Sequence, residues 1–101
     1  MTAQNRGNDL SKVNDDLSKL AVQIDRINEL AYIQYKPIAH DLCGRVATIN
    51  EVEQALDRML DFCGCDKILN LFKKICKHYY EIYPEMIAYE INAYREFWDS
   101  K

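Results

Sequence analysis

The chain has 101 residues, 49% of them hydrophobic and 29% charged, with a net charge of −3. That length supports one domain with one modest core, and the acidic balance argues against a chain that binds nucleic acid over its whole surface. Only three glycines and two prolines are present, too few for the frequent turns of a sheet protein, so long helices are expected.

Residues 1–8 are polar and read as a disordered tail, with no apolar segment resembling a secretory signal. Asp9 or Asn8 is placed to cap a first helix through its side-chain oxygen. Leu10, Val13, Leu17, Leu20, Ile24, Ile27 and Ala31 then recur at alternating three- and four-residue spacing, the a/d seam of a heptad pattern. The helix is expected to run to about Tyr35. Pro37 restricts Lys36 and cannot donate to the preceding turn, so Ile38, Leu42 and Val46 are assigned to a short separate helix, a bent extension being the alternative.

Thr48 with Glu51 has the spacing of a capping box, with Asn50 and Glu53 as a second option. Val52, Leu56, Met59, Leu60 and Cys63 follow as one helical face. Gly64 is expected to stop this helix in the left-handed conformation, and Asp66 to cap the next. That helix shows Ile68, Leu71, Phe72, Ile75, Tyr79 and Ile82 on one side. Pro84 suits the first turn of a last helix, whose stripe is Ile87, Ile91, Tyr94 and Trp98. The reading is all-α: a four-helix-bundle-like single domain over residues 9–101, with a long N-terminal helix and one short helix.

A first helix of about 27 residues spans ~40 Å, longer than its neighbours. Water penalises each exposed seam leucine, valine or isoleucine by ~1.5–3 kcal/mol relative to burial. A partner helix, from a second copy or another protein, is therefore expected on Leu10, Val13, Leu17, Leu20, Ile24 and Ile27. The flanking positions (Asn14, Asp16, Ala21, Gln23, Asn28 and Leu30) carry no complementary charge pattern that would choose the partner.

His40, Cys43, Cys63, Cys65, Cys76 and His78 suffice by number for zinc, but no Cys-x-x-Cys knuckle occurs and most lie beside apolar faces, so no metal or other cofactor is assigned. Cys65, in a turn near a helix start, is the position where a thiol can be activated. Four lysines (Lys67, Lys73, Lys74 and Lys77) make the helix after Gly64 basic. Pairing across the turn with Glu53, Asp57 and Asp61 is the preferred use for them, and phosphate binding as a nucleic-acid accessory protein is the alternative. Of Tyr79, Tyr80, Tyr83 and Tyr89, one or two must be exposed, because one helix face cannot hold all four. The serines and histidines have no evident catalytic partners, so no catalytic residue, small-molecule substrate or membrane span is assigned. A reduced, cytoplasmic setting fits the four cysteines.

Ile27-Asn28-Glu29-Leu30-Ala31-Tyr32, Glu51-Val52-Glu53, Tyr83-Pro84-Glu85-Met86-Ile87-Ala88 and Ala93-Tyr94-Arg95-Glu96 resemble small all-helical proteins encoded on conjugative or integrative elements of gut Firmicutes. The resemblance covers about two-thirds of the chain and implies no known activity. The sequence thus leads to a non-enzymatic interaction module, with its association surface on the first helix.

Overall fold

The computed structural model describes the backbone of residues 2–99 and the side chains of residues 14–99. The protein is all-α: α1 (Thr2–Cys43), α2 (Ile49–Leu60), α3 (Asp66–Tyr79) and α4 (Pro84–Tyr94), closed by a π-helical turn, Arg95–Asp99. No strand occurs among the described residues, and no described helix is long and apolar enough to cross a membrane. The molecule measures 67 × 29 × 18 Å. Its long dimension is that of α1, which at ~1.5 Å per residue is several times longer than the other helices. α1 already begins at Thr2, so its backbone runs through the expected tail, and Asp9 and Asn8 lie inside the helix instead of capping it; the side chains of Leu10 and Val13 fall outside those described.

Pro37 neither ends α1 nor separates a short second helix from it; the helix continues through it to Cys43. Losing the N–H at Pro37 leaves the Ile33 carbonyl without its helical donor. Packing outweighs that loss, because Tyr35, Ala39 and Leu42 are buried on the opposite side of the helix while Pro37 faces solvent. Substituting P37A is expected to stabilise the protein by ~2 kcal/mol, somewhat less than the full difference between alanine and proline in a helix interior. Urea denaturation measures it, and an unchanged midpoint would show that the proline costs this helix nothing.

α1 lies mainly against α3, and the two helices run in the same direction. Tyr32 meets Lys67 near the start of α3, and the Cys43 thiol reaches the Lys74 carbonyl further along. Val52, Leu56 and Met59 of α2 and Ile68, Ile75 and Tyr79 of α3 are fully enclosed. Ile87 of α4 completes this core. Tyr35 packs on Phe62, and Phe72 on Tyr94. As expected, two of the four clustered tyrosines, Tyr80 and Tyr89, are exposed.

The turns depart from the sequence reading in instructive ways. Thr48 caps α2, accepting from the Glu51 N–H at 3.3 Å. The Glu51 carboxylate does not return to close the capping box, because Arg45 holds it at 2.9 Å while also holding Asp41 at 3.0 Å. This exposed bridge joins the end of α1 to the start of α2, where solvent screens it and leaves it little weight in stability. Gly64 is not left-handed; no described glycine has a positive φ. It is small for another reason: a Cβ there would lie 2.9 Å from the Trp98 ring. The Trp98 indole N–H closes the same corner by donating to the Leu60 carbonyl at 2.8 Å, so Trp98 covers the α2–α3 turn from the rim instead of joining a buried stripe. Cys65 occupies the N-cap position of α3 and Asp66 is already inside the helix, correcting the expected cap. Ile82 lies beyond the end of α3 and is exposed.

Candidate functional site

The part of α1 from Asn14 to Ile27 is uncovered. Leu17, Leu20, Ile24 and Ile27 are 57%, 51%, 49% and 54% exposed. Among the described side chains the first half-buried one is Asn28 and the first buried one Ala31, so the body begins one turn after the seam's last large side chain. The seam runs into the stripe Ala31, Tyr35, Ala39, Leu42 by which the same helix packs on α3, and one heptad rhythm serves both. Val22, Leu30 and Ile33 are also exposed and lie round the helix from the seam, an apolar surface that the heptad reading missed because it followed a single stripe.

The basic helix is α3, and its lysines are not disposed as expected. None of Lys67, Lys73, Lys74 and Lys77 is ion-paired among the described residues, so the expected bridges to α2 do not form. The α2 acids turn elsewhere: Glu53 and Asp57 act on Glu90 of α4. Lys67 instead sits 5.4 Å from the centre of the Tyr32 ring, with Lys36 at 5.8 Å from the same ring. Lys74 and Lys77 join Lys36, His40 and His78 on the walls of an open cleft of about 1030 Å³ between α1 and α3. Lys73 points to the other side of α3, into a more apolar groove against α4 shared with Lys77 and Arg95.

Glu90 is the functional group that sequence reasoning did not find. It lies at 0% exposure and neither carboxyl oxygen has a hydrogen-bond partner. Burial above all, then Asp57 and Glu53, pushes its pKa from the ordinary 4.5 to about 8, so the carboxyl is mostly protonated at neutral pH. The sequence carried one signal of it. Glu90 falls between Ile87 and Ile91 on the apolar side of α4, where a carboxylate is out of place.

The cysteines are free. Cys63 and Cys76 are buried and their thiols are pushed up to about 12, chiefly by burial, so they stay protonated and behave as small apolar groups. Cys65 is half-buried at the start of α3. Among the described residues no three of His, Cys, Asp and Glu stand close enough to share a metal ion. No family model, curated protein or solved structure matches the chain.

Proposed function

We propose that this protein is a non-enzymatic helical interaction module, a four-helix-bundle-like body bearing an arm that pairs with a second helix through residues 10–31, most simply with another copy of itself. The observation that supports this reading is the exposure of Leu17, Leu20, Ile24 and Ile27 along one line of α1, beyond the reach of the body. Covering each with a partner's side chain returns ~1 kcal/mol or more, and a second copy supplies the same set again. Kinship with small helical proteins of conjugative or integrative elements belongs to the same reading and brings no activity with it.

Light scattering tests it. The full chain is expected at a multiple of 11.9 kDa, and a chain carrying Leu20→Glu and Ile24→Glu at the monomer mass with its body still folded. The two positions are exposed, so the substitutions leave the core untouched. Equal monomeric masses for both, at concentrations up to the solubility limit, would remove self-association.

A further inference from the structure

We infer that the cleft between α1 and α3 binds the phosphodiester backbone of nucleic acid. The charge on this side of the body is concentrated: of the four lysines of α3, Lys67, Lys74 and Lys77 lie toward α1, and the helix holds a single carboxylate, Asp66. Of the acids expected to neutralise them, Glu53 and Asp57 stand instead where they act on Glu90. What remains on the α3 surface is a row of cations without carboxylate partners among the described residues.

α1 doubles the row. Lys36 of α1 and Lys67 of α3 meet at Tyr32, 5.8 and 5.4 Å from its ring centre. Further along, His40 faces the cleft from α1 while Lys74, then Lys77 and His78, face it from α3. From Lys67 to His78 the helix rises ~16 Å, with Lys67 at one end, Lys74, Lys77 and His78 at the other, and about two turns between Lys67 and Lys74. An extended, repeating anion fits such a two-sided row better than a single phosphate, which needs only one convergent point. Two carboxylates also line the cleft. Asp41 is held by Arg45 at 3.0 Å, and Glu81 stands at the far end. Tyr32 in the wall holds Lys36 and Lys67 over its ring, which keeps the two ammonium groups close together at this end of the row. An acidic protein segment is the competing occupant, and polyglutamate stands for it in the test. The inference is independent of the arm.

Fluorescence anisotropy with labelled oligothymidylate, oligouridylate and a mixed-sequence DNA duplex tests it, using the full chain. At least one probe is expected to bind at 50 mM salt and to bind about 20- to 40-fold more weakly at 200 mM, the loss for three phosphate contacts. Comparing the three probes tells single strand from duplex. Substituting K74E with K77E is expected to weaken binding at least tenfold and to flatten the salt dependence. The charge-matched pair K19E with R26E, on the arm, is expected to leave both within about threefold. Circular dichroism confirms that each variant is folded, and K74A with K77A replaces the reversal if it is not. The inference is overturned if no probe binds at 50 mM salt, if the arm pair weakens binding as much as the cleft pair, or if polyglutamate competes as well as nucleic acid.

Discussion

Replacing Glu90 with glutamine is expected to leave a protein whose stability, relative to the wild type, climbs steadily as the pH rises from about 4.5 to about 8. The wild-type carboxyl is raised from 4.5 to about 8 by burial, with Asp57 and Glu53 adding to it. Between those values the folded chain keeps a proton that the unfolded chain has released. The folded state binds more protons, so wild-type stability falls with rising pH across this window. The contribution is fully present below about 4.5 and gone once the pH has passed about 8. Its slope is about 1.4 kcal/mol per pH unit where the difference is one whole proton, which makes it the largest single effect expected here.

Glutamine has the same shape and cannot ionise, so its curve lacks this slope. Urea denaturation of both proteins at half-unit pH intervals gives the difference directly. Asp57→Asn is expected to lower the upper edge of the window, since it removes a negative charge that holds the Glu90 proton in place. Parallel wild-type and E90Q curves would mean that Glu90 ionises normally and that its surroundings open to water.

Y79F is the second. The Tyr79 ring is fully buried, and its hydroxyl lies 2.6 Å from the Leu42 carbonyl, 2.8 Å from the Arg45 carbonyl and 2.9 Å from the Ala47 N–H. One hydroxyl therefore serves three backbone groups, accepting from Ala47 and donating its single proton toward the two carbonyls. These groups belong to the last turn of α1 and to the segment that joins it to α2. Tyr83 stacks on Tyr79 with ring centres 5.8 Å apart and donates to the Ala47 carbonyl at 2.7 Å. Together they fasten the end of the long helix to the far end of α3.

Phenylalanine keeps the stack and removes the oxygen, leaving the buried Ala47 N–H without an acceptor. A cost of ~2–3 kcal/mol follows from the unmet donor and the lost carbonyl contacts. Y83F removes one partly buried bond and is expected to cost ~1 kcal/mol. An unchanged urea m-value would show that only stability had moved. If Y79F proves no worse than Y83F, a water or a shift of the turn has satisfied Ala47.

Much of the architecture was legible in local pattern. The 3- and 4-residue spacing of Leu17, Leu20, Ile24 and Ile27 announced a long amphipathic helix. Thr48 announced the start of α2, and Pro84 that of α4. Each of these signals acts within one or two turns of chain, where the backbone's own hydrogen-bonding needs decide the outcome. Pro37 misled for the same reason. Its local preference is to break a helix, and only the burial of Tyr35, Ala39 and Leu42 on one continuous face against α3 overrides it.

Alternation of apolar and polar residues determined by itself that the chain is helical, that α1 outgrows its neighbours and that its leading stripe is apolar. Tertiary packing decided where the charges meet. The rotation of α2 about its axis turns Glu53 and Asp57 toward Glu90 and away from the lysines, and it is set by how Val52, Leu56 and Met59 enter a shared core. The same packing made Gly64 a seat for Trp98 and brought a tyrosine from α3 onto the turn after α1. Such meetings depend on residues more than 30 positions apart, and no period along a single helix carries that information.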